Sequence, residues 1–169
     1  YLPVGLPNGG IARGSMFTIF GRKLGPMATA QATSYPLNST LAGGSIQLRH
    51  GSAPQPVRTL KAIPVFVSGG QMNAILPSNT PLGWAMIRLT YNSQQSNPTR
   101  LMVVESSVGL FSATDGGFGL GSVQNFHSAD QTPTNSLLKP ARPEQVEILY
   151  GTGLGPATSL GLIHPDIHT

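Results

Sequence analysis

Residues 164–168, HPDIH, place His164 and His168 four apart around Asp166. On a helix that spacing turns both imidazoles to one side and could chelate a divalent metal. Pro165 and the lack of a helical apolar period argue against a helix, so these read as exposed tail residues and no metal ligand is assigned. His50 and His127 stand alone in the sequence. The six carboxylates are Glu105, Asp115, Asp130, Glu144, Glu147 and Asp166. General acid–base work needs two groups placed about one reacting bond. None of these forms such a pair, and strand alternation would send Glu144 and Glu147 to opposite faces. Serine is abundant, yet no G-x-S-x-G occurs to present a nucleophile. The run GGFGLG (116–121) has the glycines of a phosphate loop without the Gly-Lys-Ser/Thr and helix that such a loop requires. Asp115 with Gly116 and Gly117 could turn around calcium, but one carboxylate is a poor site for a cation that takes about six to eight oxygens.

Two further chemistries need a neighbourhood that sequence does not show. Lys23, Lys61 or Lys139 could form an isopeptide crosslink if buried beside an amide or acid and a second carboxylate. Trp84, Tyr35 and Tyr91 could form a sugar-stacking platform, although strand aromatics more often serve the core. No catalytic or cofactor-binding residue is assigned, no cofactor is expected, and the chain does not read as an enzyme.

The elements that would position any site are strands. Charged residues make up 9% of the chain, against about 25% in ordinary globular proteins. With 21 Gly and 15 Pro, the composition is poor in helix formers and rich in breakers. The predicted strands are SMFTIF (15–20), GSIQLRH (44–50), IPVFVS (63–68), QMNAIL (71–76), GWAMIRLTY (83–91) and TRLMVVE (99–105). Gly69-Gly70 should close a hairpin between the third and fourth. On 83–91, Ala85, Ile87, Leu89 and Tyr91 form the better core face, and Trp84, Met86, Arg88 and Thr90 the outer one. Phe17 or Ile19, Val65, Ile75, Ile87 and Leu89 are expected in the core. Short strands with turns every eight to twelve residues have the rhythm of a β-sandwich.

The formal net charge is +4 and the isoelectric point near 9.9. Lys and Arg are scattered singly, with no basic run, so nucleic acid is not expected as a partner. No apolar run approaches the about 20 residues of a membrane helix. The absence of cysteine does not assign a compartment. A chain that opens on Tyr1 without a visible signal peptide reads as a mature or trimmed product.

The chain repeats a phrase. Shifted by 130 residues, QVEILYGTGLGP (145–156) falls on SMFTIFGRKLGP (15–26). Gly21, Leu24, Gly25 and Pro26 match Gly151, Leu154, Gly155 and Pro156, while Ile19 and Phe20 meet Leu149 and Tyr150. An internal repeat with a strand before each copy suggests one sandwich and the opening of a second.

This strand-plus-GxxLGP phrase resembles the start of IPT/TIG domains. The order of IARGSMFTIFGRKLGP (11–26), SGGQMNAILP (68–77), SVGLFSATDGGFG (107–119) and KPARPEQVEILYGTGLGP (139–156) resembles the uncharacterised C-terminal domain family of Solibacter and other Acidobacteria. The resemblance implies an all-β, immunoglobulin-like β-sandwich of the IPT/TIG kind, followed by the start of a second Ig-like repeat, in a secreted protein of the extracellular space or cell surface. It transfers no catalytic residue.

The expected organisation is an extended N-terminal arm (1–12), an Ig-like sandwich (13–105), a glycine-rich strand and linker (106–144), and the first strand and tail of an incomplete repeat (145–169). In YLPVGLP, Leu2, Val4 and Leu6 lie on one side at period two, while Pro3 and Pro7 keep the segment extended and out of a central strand. Val146, Ile148 and Tyr150 form a second such set, whose strand must pair with the preceding glycine-rich segment, the first sandwich or another chain. A strand-donating end and a strand-accepting end on one chain give a head-to-tail contact that repeats without closing. The leading expectation is therefore a non-catalytic structural protein whose partners are copies of itself, joined by β-strand addition into a filament. The alternative is a carbohydrate-binding or adhesion module of a larger secreted protein, with polysaccharide as partner.

Overall fold

The computed structural model describes residues 9–51, 56–114 and 119–156. These residues are all-β, and no helix among them is long and apolar enough to cross a membrane. They divide into two compact units, residues 9–107 with 153–156, and residues 108–152.

The larger unit holds β1 (Gly10–Ala12), β2 (Met16–Phe20), β3 (Ala30–Gln31), β4 (Thr40–Leu41), β5 (Gly44–His50), β6 (Arg58–Val67), β7 (Gln71–Ile75), β8 (Gly83–Tyr91), β9 (Gln94–Gln95) and β10 (Thr99–Val104). One sheet runs in the order β1-β10-β8-β5-β6-β7-β2, with β3 added to β6, β4 to β5 and β9 to β8. All of these pairs are antiparallel except β1 with β10. The two ends of this path, β1 and β2, are consecutive in the chain. Between them the Arg13 amide donates to the Val104 carbonyl at 3.2 Å and the Gly14 amide to the Leu76 carbonyl at 2.9 Å. Leu76 in turn donates to the Ser15 carbonyl at 2.9 Å. This short step carries the chain from the β10 edge to the end of β7 and nearly closes the sheet.

Turn chemistry sets the local registers. Ala42 and Gly43 both have positive φ (47° and 79°), as do Asn92 and Ser93 (46° and 66°). These are the two-residue turns whose twist matches the strands they join. The Gly69-Gly70 hairpin forms as expected, with the Ser68 amide donating to the Gln71 carbonyl at 2.8 Å.

The core lies between the inner faces of these strands. Ile46, Leu48, Ala62, Val67, Met72, Ala74 and Leu76 are fully buried, with Phe17, Ala85, Leu89 and Val103 beside them. On β8 the expected faces are the observed ones: Ala85 and Leu89 point inward, Ile87 packs against the core, and Trp84 and Met86 are exposed. Phe17 is buried and Ile19 packs beside it.

Two expected core positions are corrected. Ile75 is only half-buried, because it shares the outer face of β7 with Gln71 and Asn73, whose side chains bond each other at 2.8 Å. Met72, Ala74 and Leu76 take the inside instead. Val65 is also half-buried, because the β6–β7 register slips between Pro64 and Phe66 and breaks the alternation there.

The phrase 21–26 docks on the Gly69-Gly70 hairpin. The amides of Gly21 and Leu24 donate to the carbonyls of Gly70 (3.0 Å) and Gly69 (3.1 Å), and Leu24 enters the core. A Cβ on Gly25 would lie 2.2 Å from Val67 Cγ1 and 2.8 Å from the Ser68 carbonyl oxygen, so only glycine allows this approach.

Ile46→Ala should cost about 2–5 kcal/mol in urea unfolding, and Ile87→Ala at its half-buried position should cost less. Gly25→Ala should cost about 1–3 kcal/mol by overpacking. A loss below about 0.5 kcal/mol at Ile46, typical of surface positions, would contradict this core.

Candidate functional site

Leu2, Val4 and Leu6 lie outside the described residues, as do Asp115, His164, Asp166 and His168. Among the described residues no three His, Asp or Glu side chains gather as a metal site. His50 Nε2 donates to the Leu82 carbonyl at 2.7 Å, tying β5 to the start of β8. His127 and Asp130 line an open depression with Gln131, Thr132 and Pro133. Glu105 pairs with Arg13 across the β1–β10 seam. Lys23, Lys61 and Lys139 are all exposed, so none has the buried surroundings that an isopeptide crosslink requires.

The smaller unit contains β11 (Gly109–Leu110), β12 (Val123–Asn125), β13 (Glu147–Leu149) and β14 (Gly151–Thr152). Of the three partners that the sequence leaves open for the second phrase, the structure selects the glycine-rich segment: β13 pairs antiparallel with β12, and β14 with β11. The Phe126 amide donates to the Val146 carbonyl at 2.9 Å and the Tyr150 amide to the Ser122 carbonyl at 3.2 Å. The backbone of residues 146, 148 and 150 therefore turns toward β12, and that of Glu147 and Leu149 turns away. The far side of β12 is occupied: Asn125 donates to the Pro133 carbonyl and Asn135 to the Val123 carbonyl, both at 2.9 Å. The far side of β13 has no strand partner among the described residues.

This unit is held by polar contacts. Its one buried residue among those described is Asn125. The Asn125 amide donates to the Lys139 carbonyl at 2.9 Å, and its side-chain oxygen accepts from Asn135 at 2.8 Å. The same Asn135 amide reaches Glu147 Oε1 at 2.8 Å, fixing the start of β13. Meanwhile ten large apolar side chains of residues 108–152 are exposed, among them Val146 (63%), Leu149 and Tyr150. Ile148 is half-buried, and the Tyr150 hydroxyl donates to Gln124 Oε1 at 2.9 Å.

The two copies of the repeated phrase thus differ physically. The position of buried Phe17 is taken by exposed Glu147, and the apolar period-two set moves from residues 17 and 19 to 146, 148 and 150. A shift of one residue reverses which face of a strand is apolar. Leu24 is 9% exposed and its counterpart Leu154 is 77% exposed. Gly155 has φ near 101°, and a Cβ there would meet the Glu105 carbonyl oxygen at 2.7 Å. Within the larger unit, the second LGP therefore lies against the end of β10.

The aromatic trio of Trp84, Tyr35 and Tyr91 does not form one platform. Trp84 is 60% exposed on the outer face of β8, Tyr91 has the opposite strand parity, and Tyr35 is in a loop. Around Trp84, however, strand pairing gathers cations that are far apart in sequence. Arg49 lies opposite Met86, Met86 opposite Arg100, and Gln47 between Lys61 and Arg88. This grouping is invisible along the chain because it exists only across four strands. Its one trace in the sequence is the outward parity of Arg49, Arg88 and Arg100 within their strands.

Leu24→Ala should cost about 2–5 kcal/mol of unfolding free energy, whereas Leu154→Ala should stay within about 0.5 kcal/mol. Equal losses at the two sites, measured by urea titration, would show that both phrases dock alike. Comparison with family models, with curated proteins and with solved structures finds no match for this chain.

Proposed function

We propose that this chain is a non-catalytic structural module of the extracellular space or cell surface that joins copies of itself by β-strand addition. Its nearly closed sheet is read as an immunoglobulin-like sandwich of the IPT/TIG kind, in keeping with the phrase order that resembles the Solibacter-type family. One observation carries the reading: the described residues of 108–152 expose ten large apolar side chains while burying only Asn125. A segment this short that does not cover its own apolar surface gains stability by docking against another surface. The outward backbone of Glu147 and Leu149, with no strand partner among the described residues, supplies the means, since such an edge is a template for an added strand. Leu2, Val4 and Leu6, apolar at period two between Pro3 and Pro7, are the proposed donor.

A carbohydrate-binding module is the second reading, favoured by the exposed indole of Trp84 on a sheet face.

Sedimentation velocity and negative-stain microscopy test the first reading. The unmodified chain should form large or filamentous particles. Leu149→Pro removes an outward amide while leaving the amides of Ile148 and Tyr150 free to bond β12, so it should shorten or dissolve them. Deleting residues 1–7 should do the same. A chain that stays monomeric at high concentration overturns self-association. Particles of unchanged length in both variants overturn strand addition as the link.

A further inference from the structure

We infer that the outer face of strands β6, β5, β8 and β10 binds an acidic polysaccharide, a polymer of sugars carrying carboxylates at intervals. The inference rests on the carbohydrate-binding reading and narrows it to a charge class. Burial of Ile46 and Leu48 turns Gln47 and Arg49 outward on β5, and cross-strand pairing places Lys61, Arg88, Met86 and Arg100 on the same face. Arg49, Lys61 and Arg100 are exposed, and Trp84 and Met86 stand among them.

Charge complementarity selects the occupant. The described residues of the larger unit carry eight Lys or Arg and one carboxylate, Glu105, which is already paired with Arg13 across the seam. Among the described residues of the larger unit, the four cations of the face therefore have no acidic partner. Of these, Arg88 donates from Nη1 to Gln95 Oε1 at 3.0 Å, while its Nε is buried without a partner. Arginine forks match carboxylates in two-point contacts.

Spacing separates the candidate polyanions. Arg49 and Arg100 are two strand spacings apart, about 10 Å between backbones, with Met86 between them. Along β8 the outward side chains run Trp84, Met86 and Arg88, and across the strands Met86 stands between Arg49 and Arg100, so apolar and cationic side chains alternate across the sheet and adjoin along β8. A chain of uronic acid residues offers the same alternation, with carboxylates separated by the apolar C–H faces of sugar rings that an indole can cover. Nucleic acid carries a phosphate at every nucleotide and, when single-stranded, is held by several stacking aromatics. Among the described residues this face presents one, Trp84.

Trp84 is the single tryptophan of the chain, so its emission reports this face alone. Polygalacturonate should shift or quench that emission saturably, with affinity falling as salt is added. Arg49→Gln combined with Arg100→Gln should weaken binding about tenfold, read by affinity electrophoresis as well as fluorescence. Neutral dextran should bind far more weakly. If dextran binds equally well and the double variant is unaffected, the acidic class is wrong while the carbohydrate reading stands. If neither polymer binds, both fail. Tighter binding of an oligothymidylate would assign the face to nucleic acid. An emission shift produced only by raising protein concentration would assign it to a second copy of the chain.

Discussion

The larger unit depends on one irregular strand. β6 pairs with β5 through residues 58–62 and with β7 through residues 63–67, and between Pro64 and Phe66 its register slips. A bulge bends a strand and raises its local twist. Here the bend lets ten residues serve two parts of one sheet and turns those parts toward a shared interior. Pro64 sits at the bend, fully buried and unable to donate a ladder hydrogen bond, which is where a sheet tolerates proline. A flat β6 would hold Val67 and Met72 away from Ile46 and Leu48, and the inner faces would have nothing to close upon.

The rest of the larger unit follows from that closure. Once β7 is folded over, its end meets the step between β1 and β2, and Leu76 exchanges backbone bonds with Gly14 and Ser15. The Gly69-Gly70 hairpin then offers two carbonyls to the amides of Gly21 and Leu24. Leu24 can reach the core only because Gly25 lets the backbone lie against Val67 and Ser68. The GxxLGP phrase is thus a clasp, whose glycine and leucine have meaning only beside a hairpin of this shape.

The smaller unit is organised on a different principle. Its centre is an asparagine whose bonds join four segments of chain: those carrying Asn125, Pro133 to Asn135, Lys139 and, through Asn135, Glu147. Such a network specifies geometry well, but each net hydrogen bond contributes only about 0.5–1.5 kcal/mol. It leaves the apolar side chains around it uncovered. The smaller unit thus presents an apolar surface and the larger one a cationic sheet face, two surfaces of different chemistry.

Much of this was legible in the sequence. Gly83–Tyr91 was readable as a two-faced strand, because alternation alone separates Ala85 and Leu89 from Trp84 and Met86. The Gly69-Gly70 pair marked its hairpin, since glycine fits the backbone of a tight turn. The repeated phrase was visible as well, and with it the need of the second strand for a partner. Which partner it takes, and why Leu24 is buried while Leu154 is exposed, was decided only by tertiary structure, because burial belongs to the surroundings of a motif rather than to its letters. The bulge that displaces Val65 was hidden for the same reason, whereas the parity that Ile75 shares with Gln71 and Asn73 was open to alternation. Likewise the ten scattered cations carried no pattern along the chain. Four of them form a face only after strands 58–67, 44–50, 83–91 and 99–104 come into register, since pairing between distant segments sets which side chains become neighbours.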